Sequence, residues 1–201
     1  MNRKIYFLLA VLAFSVLACA NEGMEDSAHV EDTANMTSSG AFHDRDALPN
    51  DSGIEGVQTF PDRTVYHDHV KVVEEPVEEI PPAFGAHLAA WQNCGIYDQP
   101  IGLGNALHSL EHGAVWVTYP SDLPIDQVEA LRATVRGNDF VLMSPYPQQT
   151  KPVILTAWTV QLVIESLPDD RIAKFIEYYS EGPQNPEPGA SCQGAIGTPI
   201  E

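Results

Sequence analysis

Basic residues are scarce in this chain of 201 residues. It has 10 Lys and Arg against 28 Asp and Glu, and its formal net charge is −18. A surface that binds nucleic acid needs clustered Lys and Arg to neutralise phosphates, and docking on anionic lipid needs them too. The composition excludes both kinds of surface, so no nucleic-acid partner is expected. Hydrophobic residues make up 44 % of the chain, which is enough for one packed domain.

Long hydrophobic runs are also lacking, apart from the uncharged, mostly apolar stretch 5–18, which follows Arg3 and Lys4. As a helix it would span about 21 Å, short of the bilayer core of about 30 Å, so it predicts a secretory signal. The run ends just before Cys19, in a pattern that resembles a bacterial lipobox. We therefore expect residues 1–18 to be a lipoprotein signal peptide, with an ordinary signal cleaved nearby as the alternative.

This signal peptide predicts an exported protein in the bacterial cell envelope, anchored to the membrane by a lipid on Cys19. In a double-membraned cell the outer membrane is the expected destination. The sequence names no protein partner.

Cysteine is also scarce, with three residues in the whole chain. If Cys19 carries a lipid, Cys94 and Cys192 remain, and in an oxidising compartment such a pair usually forms a disulfide. A crosslink between residues this far apart would stabilise the fold by about 4–5 kcal/mol on the chain-entropy model. The alternative is that Cys94 is a metal ligand beside His87.

The chain divides by composition. Residues 19–62 are acidic and polar without a sustained period, which predicts a disordered acidic tether. Residues 63–185 carry the periodic segments and are expected to form the domain. Residues 186–201 are rich in Pro and Gly, and we expect only Cys192 to hold this tail.

Periodicity within the domain predicts three strands and two amphipathic helices, with a further helical turn or two before the first strand. Ile125, Val128, Leu131 and Val135 are expected to face inward on the first amphipathic helix. The fold class is therefore α+β, a small single domain with a mixed sheet of about three to five strands. The predicted segments are helical turns at 105–113, strand 114–119, helix 124–137, strand 140–144, strand 152–160 and helix 169–180.

The densest chemistry lies in the segment His108-Ser109-Leu110-Glu111-His112. Side chains at i and i+4 share a face on a helix and on a strand, so both imidazoles can approach one ion. Glu111 is available as a ligand or as an acceptor that orients a ring. With no Lys or Arg nearby, the group favours a cation such as copper or zinc. The alternative is a pair of core or capping histidines that bond to backbone carbonyls.

Several segments together resemble the bacterial exported family known as Domain of Unknown Function 3105, over about residues 65 to 180. Phe84 stands where that family usually has Ser or Thr, so any role of this hydroxyl is absent. The segments that carry the resemblance are PPAFGAH (81–87), Trp91, GIY (95–97), HSLEHGAVWVTY (108–119), SPYP (144–147) and LTAW (155–158).

The family has no established activity, so the resemblance indicates residues rather than a reaction. It implies that His87, His108, Glu111 and His112 come together in one pocket. The family also has a histidine before the Pro-Pro turn, which corresponds to His67 or His69.

Three functions are open from the sequence. The first is a non-catalytic metal site formed by His87, His108 and His112, with Glu111, His69 or the thioether of Met143 as further ligands. The alternative for Met143 is a packing position in the core, since it lies in a predicted strand. Trp91, Trp116 and Trp158 would either wall the pocket or belong to the core.

The second function is a zinc hydrolase, because His-x-x-Glu-His matches an inverted zincin motif. Glu111 would then be the general base, and His87 or Glu177 the third ligand. The third function is an envelope scaffold whose histidines only organise a loop.

Overall fold

The computed structural model describes residues 52–60, 68–71, 73 and 78–201, and every structural statement below refers to these residues. The predicted signal peptide, Cys19, most of the predicted tether and His67 lie outside them. Among the described residues, no helix is long and apolar enough to cross a membrane.

The described part of the chain forms an α+β domain, as predicted. The elements are β1 (Gln58–Thr59), β2 (His69–Val70), β3 (His87–Leu88), β4 (Gly95–Ile96), α1 (Leu103–Glu111), β5 (Val115–Tyr119), α2 (Ile125–Val135), β6 (Val141–Pro145), β7 (Val153–Ala157), β8 (Val160–Ile164) and α3 (Arg171–Tyr179). Six strands make one mixed sheet in the order β1-β8-β7-β5-β6-β4, and β2 pairs with β3 in a separate parallel ladder.

The main sheet is larger than the three to five strands predicted. The segment 152–160, predicted as one strand, contains β7 and the start of β8, which pair antiparallel from Ala157 and Val160 outward. The chain turns at Trp158 and Thr159, and Thr159 adopts a φ of 57°. The turn has no Gly, Pro or Asn, so the sequence gives no turn signal there.

The two faces of the sheet carry different cores. Alternate residues of β5 and β6 point to opposite faces, so Val117 packs with α2 and α3 while Trp116 packs with α1. Val128, Leu131 and Val135 of α2 are buried as predicted, but Ile125 is 70 % exposed. Ile125 is the first residue of α2.

Met143 belongs to the α2/α3 face. It is fully buried in β6 with the aliphatic residues of that core, whereas Trp116 and Trp158 are buried on the α1 face. The thioether is therefore on the opposite side of the sheet from α1 and its histidines. Met143 therefore packs in this core, which agrees with the core alternative given above, and the structure gives no support to a ligand role.

The C-terminal tail is held by much more than Cys192. The Cys94–Cys192 disulfide joins Cα atoms 5.4 Å apart. Backbone hydrogen bonds then continue along the tail, from Asn93 N to Ile196 O at 2.8 Å and from Ile96 N to Glu201 O at 3.0 Å. The tail therefore packs along the segment around β4, and Cys94 is paired with Cys192 rather than placed with the histidines.

Candidate functional site

Helix α1 supplies the centre of the site. It begins at Leu103 after Gly102 rather than at Asn105, and the Asn105 side chain instead donates to the Ala90 carbonyl at 2.5 Å. All nine residues of α1 are buried, including the polar ones. His108 and Glu111 lie on this helix, so the fold carries polar groups into the interior.

The helix ends at Glu111, and His112 is its C-terminal cap. Gly113 follows with a φ of 100°, and a Cβ there would lie 2.6 Å from the Asn185 side chain. Glycine is therefore required where the chain turns from α1 into β5. This turn holds His112 beside the C-terminal segment, whose Asn185 also donates to the His112 carbonyl at 3.2 Å.

Three histidines are oriented in the same way. Nδ1 of His87 lies 2.9 Å from the Gly85 carbonyl, Nδ1 of His108 lies 2.7 Å from the Leu88 carbonyl, and Nδ1 of His112 lies 2.7 Å from the Ser191 carbonyl. A carbonyl can only accept, so each Nδ1 must carry the hydrogen. In the neutral ring the lone pair is then on Nε2, the arrangement typical of metal-binding histidines.

The imidazole rings form one cluster. The centroids of His69, His87 and His108 are 4.7–4.9 Å apart, and that of His112 is 4.6 Å from His108. The parallel pairing of β2 with β3 aligns His69 with His87. Of the two upstream histidines that the sequence left open, His69 therefore joins the cluster.

Two tryptophans border the rings. The indole centroid of Trp91 is 4.7 Å from His112, and that of Trp158 is 5.9 Å from His87. Trp116 lies with the core and donates to Ser144 Oγ at 3.0 Å. The expectation that tryptophans wall the pocket therefore fits Trp91 and Trp158, and the core alternative fits Trp116.

The ligand atoms fall into two overlapping groups, within each of which all atoms lie within 4.8 Å of one another. One group, here called the inner group, consists of His69, His87, His108 and Glu111. The other, the outer group, consists of His108, His112 and Glu187. His108 belongs to both.

Glu187 was missed from the sequence. Its Oε2 lies 3.3 Å from Nε2 of His112, and its side chain is about half exposed. Glu177, the downstream acid considered from the sequence, is instead exposed on α3 and lines a separate cleft. Glu187 is not at a ligand spacing from any of the histidines in the sequence. Its only sequence signal is that it lies near Cys192, which forms the disulfide with Cys94.

A buried contact joins His87 to Glu111. Nε2 of His87 lies 2.8 Å from Oε2 of Glu111, and both side chains are almost fully buried. The contact has an ion-pair distance, but Nε2 lacks the alignment of a hydrogen bond. A bare lone pair at this distance would repel the carboxylate. The contact is favourable when the imidazole is charged or when both atoms bind the same metal ion.

Two pKa shifts follow from this geometry. Burial opposes the charged form of His87, but the Glu111 carboxylate and the Gly85 carbonyl outweigh it, so the pKa of His87 is raised above its ordinary 6.5. Burial lowers the pKa of His108 to about 4, and the neighbouring imidazoles contribute in the same direction. His108 is therefore neutral at pH 7 and available to an ion, while the raised pKa of His87 favours its protonated form, and that proton competes with an ion for Nε2.

The comparison with protein families gives one match. The model of a protein family of unknown function, DUF3105, matches residues 73–194. No curated protein and no solved structure matches the chain significantly. The matched region contains His87, His108, Glu111, His112 and Glu187, while His69 precedes it. Because this match covers more than half of the sequence, the chain belongs to the DUF3105 family.

Proposed function

We propose that this domain binds a copper or zinc ion and is not an enzyme. The observation that carries the proposal is the shared orientation of His87, His108 and His112. Each ring is fixed through Nδ1 by a backbone carbonyl, which leaves Nε2 for an ion. Glu111 adds a buried negative charge next to His87. A structural histidine needs one such hydrogen bond, but it does not need other imidazoles beside it, and here the centroids of neighbouring histidine rings lie 4.6–4.9 Å apart.

The ligand chemistry selects the kind of metal. Imidazole nitrogen with one carboxylate suits zinc and copper, whereas calcium and magnesium prefer ligand sets made of oxygen. Sulfur ligands are not supported, since Met143 is on the opposite face of the sheet and Cys94 is joined to Cys192. The inner group supplies three nitrogens and one carboxylate, the number of ligands in a closed tetrahedral site.

The proposed setting is the bacterial cell envelope, with a lipid on Cys19 as the membrane anchor. Its support is the signal-like run 5–18 that ends in a lipobox-like pattern. A cysteine pair at disulfide distance suits an exported protein. In that compartment the site would bind copper or zinc that is present outside the cytoplasm.

Elemental analysis of the purified protein tests the metal proposal, with His108→Asn as the variant. The Asn amide can still donate to the Leu88 carbonyl, but it offers no group in place of Nε2. We expect about one equivalent of zinc or copper in the wild-type protein and less than about a tenth in the variant, since His108 belongs to both groups.

The control is His43→Asn, which removes a histidine of the predicted tether and should leave the metal content unchanged. Circular dichroism of His108→Asn shows whether the fold is retained. Absence of both metals from the wild-type protein after reconstitution would contradict the proposal and leave an envelope scaffold as the remaining function.

One observation favours the zinc hydrolase as a second candidate. His108, His112 and Glu187 form a set of two imidazoles and one downstream carboxylate, as an inverted zincin motif requires. Glu111, however, lies against the buried His87 imidazole rather than facing open solvent. A general base must reach a water on the metal, so this contact favours a ligand role for Glu111.

A further inference from the structure

We propose that the site has two ion positions joined by His108, and that the protein is a metal carrier which exchanges its ion at the outer group and holds it at the inner group. This inference rests on the proposed metal-binding function and adds a route for the cargo. The partner is any donor or acceptor that offers ligands for the same copper or zinc ion.

The shared histidine makes the two positions exclusive. Nδ1 of His108 is bonded to the Leu88 carbonyl, so only Nε2 has a lone pair for a metal. One lone pair coordinates one ion at a time. Both groups therefore cannot be filled together with His108 as a ligand of each, and the protein should hold one ion that changes between two sets of partners.

The two groups differ in burial. The inner group has three buried members, since His87 is 0 % and Glu111 is 2 % exposed and His108 is buried, while His69 is exposed. The outer group has two buried members, and its Glu187 side chain is 49 % exposed. An ion in the inner group is therefore held by more buried ligands than an ion in the outer group, where Glu187 is accessible to an external ligand.

The number of ligands points in the same direction. The outer group has three ligands and leaves one tetrahedral position open, which an incoming ligand can occupy. The inner group has four and needs no outside ligand. A carrier is expected to take up its ion at an open position and then to retain it at a closed one.

The tail holds Glu187 where this exchange requires it. The backbone N–H of Glu187 donates to Asn185 Oδ1 at 2.8 Å and lies 3.3 Å from the Glu111 carbonyl. The main chain of Glu187 is thus fixed to the end of α1. Its carboxylate extends from this anchor toward His112 and solvent.

The test compares the equilibrium affinity for the ion with the rate of its transfer to a chelator. Protein loaded with one equivalent of Zn²⁺, or of Cu²⁺ if elemental analysis finds copper, is mixed with excess pyridylazo-resorcinol dye. For Glu187→Gln we expect transfer to slow by about tenfold, because the outer group loses its carboxylate. We expect the affinity to fall by less than in the inner-group variant described below, because all four inner ligands remain. Glu177→Gln is the matched control and should change neither quantity.

The inner group is tested with His87→Asn. Asn keeps a donor for the Gly85 carbonyl and removes the Nε2 ligand, so we expect the affinity to fall by about 10- to 100-fold and transfer to become faster. The opposite effects of the two substitutions would support two positions with separate tasks.

Two results would overturn the carrier inference while leaving metal binding intact. One is transfer from Glu187→Gln at the wild-type rate. The other is simultaneous tight binding of two equivalents by the wild-type protein. If the wild-type protein binds neither ion, the proposed function itself fails, which elemental analysis shows before any transfer is measured.

Discussion

The two faces of the sheet are built on different principles. The face under α2 and α3 is covered by apolar side chains, including Val128 and Phe175. The face under α1 also has an apolar cluster, but α1 brings His108, Ser109 and Glu111 into its interior. Burial of polar groups costs free energy unless they are paired, so the first face stabilises the fold and the second carries the candidate function.

Many polar groups of the α1 face are hydrogen-bonded within the protein. Ser109 Oγ donates to the Gln92 carbonyl at 2.7 Å and accepts from the Gln92 amide at 3.0 Å. The Nδ1 atoms of the three histidines described above are bonded to carbonyls. The buried atoms of this face that have no hydrogen bond include Nε2 of His87 and the indole nitrogens of Trp91 and Trp158. The α1 face thus differs from the other face in its cluster of histidine and carboxylate groups, which can bind a cation.

The largest expected effect is a loss of folding stability that leaves metal binding unchanged. Phe175 is fully buried in the α2/α3 core, so Phe175→Ala should lower the free energy of unfolding by about 3–5 kcal/mol. Metal stoichiometry in the folded protein should not change, because the substitution is on the other face. Chemical denaturation and elemental analysis of the same sample measure both quantities.

Ile125→Ala is the control for this prediction, since Ile125 is 70 % exposed on α2. Its effect on unfolding should stay within about 0.5 kcal/mol. A loss of metal from folded Phe175→Ala protein would show that the two faces are not independent.

A smaller effect is expected within the polar face. Glu111→Gln keeps the side-chain volume and removes the negative charge beside His87, so we expect metal affinity to fall by about 10- to 100-fold. Competition with a chelator of known affinity measures the loss. Full retention of metal, together with loss of a hydrolytic activity present in the wild-type protein, would instead identify Glu111 as a general base.

The smallest effect is a pH dependence of metal affinity. Because the pKa of His87 is raised above 6.5, an ion must displace a proton from His87 at and below that raised pKa. Affinity should therefore fall by about tenfold per pH unit on that acid side, while His108, with a pKa of about 4, adds a further loss only near pH 4. Titrations between pH 5 and pH 8 measure this slope, and an affinity independent of pH over this range would exclude His87 as a ligand.

The sequence predicted the apolar face well. The helix predicted at 169–180 is α3, because a helix with one face on a core shows its period in the sequence. Its apolar residues Ile172, Phe175, Ile176 and Tyr179 are all buried. The start of α1 was predicted at residue 105, two residues after its actual start at Leu103. A helix buried on every side has no polar stripe to mark its face or its first turn.

The histidine cluster was only partly predictable. His108, Glu111 and His112 could be found because their spacing within one segment is a local signal. Their grouping with His87 came from the family resemblance, and the choice of His69 needed the pairing of β2 with β3. Glu187 required the path of the tail, which depends on hydrogen bonds between segments about a hundred residues apart.

The most direct test of the metal site is anomalous diffraction from crystals of the protein loaded with zinc or copper. The account predicts one principal peak in the inner group, about 2.0–2.2 Å from Nε2 of His87, Nε2 of His108 and an oxygen of Glu111. A loaded crystal with no peak among these histidines, or with metal held only by surface acids, would contradict the central claim.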